Sequence, residues 1–130
     1  MDIQIRNLVK RFGENTAVDI DSFEIRKGDM LGLVGNNGAG KTTLFRLMLD
    51  LLEADEGEVL LSYEGAASPI KPSQNEDWKS VTGAYVDEAF LIEFLTPEEY
   101  FQFIGQANHM TQVQTEEQLA LYEHFMHGEV

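Results

Sequence analysis

The stretch Gly35-Asn36-Asn37-Gly38-Ala39-Gly40-Lys41-Thr42 decides how this sequence folds. It matches the spacing G-x-x-x-x-G-K-[ST] at every fixed position. Before it, Met30-Leu31-Gly32-Leu33-Val34 is a short continuous apolar run, the pattern of a strand buried on both faces. After it, Leu44, Leu47, Met48, Leu51 and Leu52 recur at helical spacing, which predicts a helix over Lys41–Leu52 with one apolar face. Strand, glycine loop and helix in that order make a phosphate-binding loop. The glycines let the backbone wrap an anion with its N–H groups pointing inward. The helix N-terminus at Lys41–Thr43 adds partial positive charge. Asn37, Gly38, Ala39 and Gly40 are expected to form the cradle, and Lys41 to reach the β- and γ-phosphates. The Thr42 hydroxyl would bind Mg²⁺, and Thr43 would donate near the α-phosphate. A nucleoside triphosphate with Mg²⁺ is the expected ligand, set against the plainer reading of a glycine-rich turn with a surface lysine.

Outward from the loop, Ile3 and Ile5 alternate with Gln4 and Arg6, which predicts a half-buried strand broken at Phe12-Gly13. Val18, Ile20, Phe23 and Ile25 predict a second, antiparallel strand that stops at Lys27-Gly28-Asp29. Glu58–Tyr63 reads as a further strand, 64–75 as a loop, and Val81–Val86 as another strand. Thr96-Pro97-Glu98-Glu99 is a helix start, with Thr as cap, Pro first and Glu third. A second start is expected at Thr115-Glu116-Glu117-Gln118, its helix running to about Met126. The order describes an α/β chain with an antiparallel attachment at the front. Its expected divisions are 1–86, a core holding the loop, and 87–130.

The 130 residues contain 43% hydrophobic and 25% charged residues, the balance of a folded core with a solvated surface. No apolar run is long enough to span a bilayer. The absence of cysteine excludes disulfides and thiolate metal sites. The first residues lack a basic-then-apolar leader, so a cytosolic compartment is expected. A net charge of −14 disfavours nucleic acid as a partner. All nine Lys and Arg lie at or before Lys79, so the rest of the chain is acidic: either a solvated face or a surface that meets a basic partner. His109, His124 and His127 fall in no motif and read as surface residues.

Four segments around the loop carry a resemblance. These are Leu8-Val9-Lys10-Arg11-Phe12-Gly13 with Thr16-Ala17-Val18, then Phe23–Asp29, then Asn37–Leu44, then Glu53-Ala54-Asp55-Glu56-Gly57-Glu58-Val59. Together they make the chain resemble the ATP-binding subunits of ABC transporters throughout its length. The resemblance implies a P-loop NTPase fold of the ABC-ATPase type: an antiparallel β attachment, an incomplete and mainly parallel core sheet, and the start of a helical subdomain. It implies that Phe12 stacks on adenine, unless it is a core aromatic, and that Val18 lines the adenine–ribose side.

The family usually has a Gln after the strand at Val81–Val86, and here Asp87 takes that place. A carboxylate can also hold Mg²⁺, and the segment is similar to exporter branches of the family. The plainer alternative is that Asp87 and Glu88 are solvated loop residues. Six of the 13 aromatic residues lie between Tyr85 and Phe103. They fit either the core of the helical subdomain or the surface that meets a membrane partner.

The resemblance thus implies ATP and Mg²⁺ as ligands, a transmembrane transporter subunit and a second ATP-binding subunit as partners, and a place at the inner face of the cell membrane. The sequence has no Leu-Ser-Gly-Gly signature and, with Asp87-Glu88 read as the Gln position, no further apolar strand ending in Asp-Glu. The expectation is therefore an N-terminal portion of a longer subunit that binds Mg-ATP and does not hydrolyse it alone. A non-hydrolytic nucleotide sensor and a non-transport ATPase of the same type are the competing expectations.

Overall fold

Alternating apolar residues near the N-terminus build a three-stranded antiparallel sheet of order β2-β1-β3. The strands are β1 (Asp2–Phe12), β2 (Asn15–Ile25) and β3 (Glu56–Ser62). The computed structural model describes residues 1–36, 38, 40–87 and 91–126. These fall into two units, Met1–Val86 and Asp87–Val130.

In the first unit, β1 and β2 form a hairpin that brings Phe12 opposite Asn15 across the turn at Gly13-Glu14. On the other side, β1 pairs with β3 from Asp2↔Ser62 to Val9↔Glu56, with a register shift between Arg6 and Val9. Asn7 sits there in the left-handed region, with φ of 48°. Gly57 faces that bulge with φ of 79°, so close to the carbonyls of Arg6 and Asn7 that no Cβ fits. The core lies on one side of this sheet. Ile5, Leu8, Val18, Val59 and Leu61 meet Leu44 and Leu47 of helix α1 (Lys41–Met48) and the indole of Trp78. Trp78 comes from a short 3₁₀ turn at Asp77–Val81, and its Nε1 donates to the Pro72 carbonyl at 3.1 Å.

Helix α1 stops four residues before the apolar pattern does. Asp50 turns left-handed with φ of 56°, Leu51 N–H donates to the Arg46 carbonyl at 2.9 Å, and Asp50 N–H donates to that of Leu47. This is a Schellman ending, and it sends Leu51 and Leu52 into the following turn. The strands expected at Met30–Val34 and Val81–Val86 do not form. Residues 30–34 and 82–86 carry no regular structure, and Val81 closes the 3₁₀ turn. A run apolar on both faces becomes a strand only beside hydrogen-bonding neighbours, and among the described residues neither segment has a ladder partner. Met30 is consequently fully exposed, at 100%.

The second unit is helical. Helix α2 (Pro97–Ala107) begins with the expected box: Thr96 accepts from Glu99 N–H, and Glu99 accepts from Thr96 N–H. Helix α3 (Gln112–Ala120) corrects the expected start at Thr115. The same box pattern occurs four residues earlier, where Thr111 and Gln114 cap each other reciprocally. Thr115 is instead buried inside α3, against Gly105 of α2, and its hydroxyl donates to the Thr111 carbonyl. The expected run to Met126 breaks at Leu121-Tyr122, and a single turn, α4 (Glu123–Met126), follows.

Candidate functional site

The turn from Gly40 into α1 creates the site. Gly40 is left-handed, with φ of 90°, and caps the helix from that conformation. A Cβ there would collide with the Ala17 carbonyl of β2, so glycine alone allows the loop to lie against the hairpin. Gly40 has no side chain with which to cap the first turn of α1, and no acidic residue lies in that turn. Its leading N–H groups and positive dipole end therefore stay available to an anion. The Lys41 ammonium bends over the loop, donating to the carbonyls of Gly35 and, at 3.1 Å, Asn36.

A cleft of about 290 Å³ opens here, lined by Phe12, Asn15, Ala17, Gly38, Gly40, Lys41, Thr42 and Thr43. Residues distant in sequence are thus joined: the aromatic end of β1 and the start of α1 face one cavity. Phe12 is 51% exposed, so it is no core aromatic. Val18 goes elsewhere than expected. It is only 6% exposed, belongs to the core and packs behind Gly40 rather than lining the cleft. Asn37 and Ala39 lie outside the described residues.

Asn15 was not singled out by sequence reasoning, and Ala17 was quoted only within Thr16-Ala17-Val18, without a role of its own. The two-residue turn after Phe12 is the signal that could have found Asn15, because it returns that residue beside the ring. Also unforeseen is an ionic cluster at the hairpin end. Asp55 accepts from Arg11 N–H at 2.6 Å and pairs with Lys10 at 3.5 Å, while Glu56 pairs with Arg11 at 2.8 Å. The Arg11 N–H, and then Lys10, hold the Asp55 carboxyl below its ordinary value. Glu56 holds the Arg11 guanidinium more firmly protonated.

In the second unit, Asp87 is half-buried, while Glu88, Phe90 and His127 lie outside the described residues. Phe94 is 87% exposed, and Phe101 and Phe103 are exposed too, so these rings do not form a shared core. His109 and His124 are exposed. Among the described residues there is no cluster of three His, Asp or Glu that could hold a metal ion. No helix among them is long and apolar enough to cross a membrane.

A glycine loop turning into a helix whose first residues are Lys and Thr defines a phosphate-binding loop protein. The ABC transporter family model matches residues 18–127, and the chain belongs to that family. It is 34% identical over 128 residues to a sulfate/thiosulfate import ATP-binding protein of Cucumis sativus, covering 98% of this chain and 35% of that protein. It is also 34% identical over 90 residues to an uncharacterised ABC transporter ATP-binding protein of Methanocaldococcus jannaschii, covering 69% of this chain and 14% of that one. The chain thus spans about a third or less of the length of these relatives. The crystal structure of a nucleotide-free ATP-binding cassette from an ABC transporter shares 37% identity, with a TM-score of 0.47, over 55% of this chain and 27% of that one.

Proposed function

We propose that this chain supplies the phosphate-binding and adenine-binding half of an ATP-binding subunit that powers a membrane transporter. The observation that carries the reading is the shared cleft of Phe12, Gly40, Lys41 and Thr42. The donor set fits a nucleoside triphosphate. There is a cradle where a side chain would collide, an ammonium on the loop, an uncapped helix start and an exposed ring at the far wall. Lys41 and the first N–H groups of α1 hold phosphate oxygens, Thr43 adds a donor, and Phe12 stacks on the base. The Thr42 hydroxyl would hold Mg²⁺, which would supply charge neutralisation at the phosphates. By their place in the motif, Asn37, Gly38 and Ala39 are assigned to phosphate binding as well.

Water attack on a phosphoryl group also needs a positioned nucleophile and stabilisation of developing charge. The sequence holds no Ser-Gly-Gly signature, and beyond Asp87-Glu88, read here as the Gln position, no Asp-Glu pair at the end of an apolar run for either task. We therefore assign binding to these residues and hydrolysis to an assembly with a second ATP-binding subunit. A transmembrane subunit is the other partner, and the inner face of the membrane is the place. Asp87 at the Gln position favours export. The Cucumis sativus relative, an import protein by name, favours the opposite direction as a second reading.

Calorimetric titration with Mg-ATP tests the core of this reading. The parent chain should bind, and Lys41→Ala should not; equal affinity of the two removes Lys41 from the site. Clear turnover by the isolated 130-residue chain would overturn the division of labour.

A further inference from the structure

The hairpin tip that carries Phe12 reaches beyond the three-stranded part of the sheet. Pairing between β1 and β3 ends at Val9↔Glu56, whereas pairing between β1 and β2 continues to Phe12↔Asn15. From Lys10 onward the tip is therefore a two-stranded overhang, with a further irregularity between Lys10 and Arg11. Two strands alone hold a side chain poorly in place.

One acidic residue compensates. The Asp55 backbone N–H donates to the Val9 carbonyl at 2.9 Å, so its own chain is fixed at the last three-stranded rung. Its Oδ2 accepts from the Arg11 N–H at 2.6 Å, the position a third strand would otherwise serve. Its Oδ1 pairs with the Lys10 ammonium at 3.5 Å, on a side chain only 14% exposed. The same ammonium lies 5.5 Å from the centroid of the Phe12 ring. A cation at that distance is held by the ring face and holds it in turn. Asp55 thus grips both residues that precede Phe12, and through Lys10 it grips the ring.

We infer that Asp55 is a positioning residue for base recognition: it fixes the hairpin tip and, through Lys10, sets the Phe12 ring as the wall on which the nucleotide base stacks. This rests on the nucleotide reading above and deepens it. Among the described residues, those that line the cleft do not include Asp55. Its loss should cost affinity for the base and spare affinity for the phosphates.

The test compares Mg-ATP with Mg-tripolyphosphate, which has the phosphate chain and no base, by calorimetry on the full chain. Asp55→Ala should weaken ATP binding by roughly fivefold to tenfold, as expected when a stacking ring loses its support. Tripolyphosphate affinity should stay within about twofold, because the donors of the loop are untouched. Emission of Trp78, buried in the core of the same unit, verifies that the variant is folded. Should Asp55→Ala unfold, Asp55→Asn carries the test. It keeps an acceptor for the Arg11 N–H and loses the charge on Lys10, so ATP affinity should fall about twofold or more with tripolyphosphate unchanged.

A readout without ligand accompanies these. Amide exchange at Arg11 should accelerate about tenfold or more in Asp55→Ala, since the hydrogen bond that protects it is gone. ATP bound as tightly by Asp55→Ala as by the parent overturns the inference. So does a parallel loss of ATP and tripolyphosphate, which would mean a general loss of structure. If the parent binds neither ligand, the nucleotide reading itself fails, an outcome distinct from the other two.

Discussion

Gly40 shows how much one residue decides. Its left-handed backbone starts α1, and its missing side chain lets the loop rest on the Ala17 carbonyl. Gly40→Ala combines backbone strain with a collision against main chain, which cannot yield as a flexible side chain would. The expected result is loss of Mg-ATP binding together with a destabilisation of about 1–3 kcal/mol, read from urea unfolding. An unchanged midpoint would mean that the loop has room that the geometry denies. Phe12→Ala acts differently. The ring is exposed and its removal leaves no core cavity, so stability should change little while the preference for ATP over tripolyphosphate shrinks.

At the scale of elements, the ends carry the specific chemistry. Helix α3 begins where Thr111 and Gln114 close a reciprocal box. Thr111→Ala removes the hydroxyl that accepts from Gln114 N–H, which costs about 1 kcal/mol of helix stability. Amide exchange across Gln112–Ala120 should show it as faster exchange in the first turn; unchanged protection there would contradict the assigned start.

The strand ends depend on pH. Hydrogen bonds from Arg11 N–H to Asp55, and from Lys71 to Glu58, hold both carboxyls below their ordinary values of 3.8 and 4.5. The unfolded chain therefore binds protons at a higher pH than the folded one. The stabilisation is fully present above the ordinary carboxylate range and is lost as pH falls through the lowered folded values. Urea midpoints followed by Trp78 emission should decline below about pH 4.5, and Asp55→Asn with Lys71→Ala should flatten that decline. An equally steep decline in the double variant would place the acid sensitivity elsewhere.

For the chain as a whole, the first unit rests on one small core and one indole. Trp78 fills the space over Ile5, Leu44 and Leu61, and its N–H is satisfied by the Pro72 carbonyl. Trp78→Ala opens a cavity and strands that carbonyl, a cost of about 3–5 kcal/mol. Circular dichroism melting should report unfolding near room temperature or a melting point lowered by many degrees. The same scale governs association. Met30, Leu31, Leu33 and Val34 are exposed apolar residues on a segment without strand partners. Sedimentation should therefore detect concentration-dependent self-association, despite the net charge of −14 that opposes it. A clean monomer at high concentration would mean that this segment is covered in solution.

Local chemistry is what the sequence determined by itself. The entry Gly40-Lys41-Thr42 into α1, the alternation at Ile3 and Ile5, and the box at Thr96–Glu99 each encode their structure within a few residues, through backbone freedom, side-chain parity and capping geometry. Family membership was legible for the same reason, since its motifs are short and contiguous. Tertiary structure alone decided the rest. Thr111 prevailed over Thr115 as a cap because Thr115 was needed against Gly105, a contact between two helices. Val18 went to the core because the loop at Gly40 packs in front of it. The runs at 30–34 and 81–86 have the composition of strands, yet a strand is a relation between neighbours and no composition supplies one. Asp55 is a plain acidic residue in the sequence; forty-four positions separate it from Arg11, and only the folded sheet brings its carboxylate to the hairpin that holds Phe12.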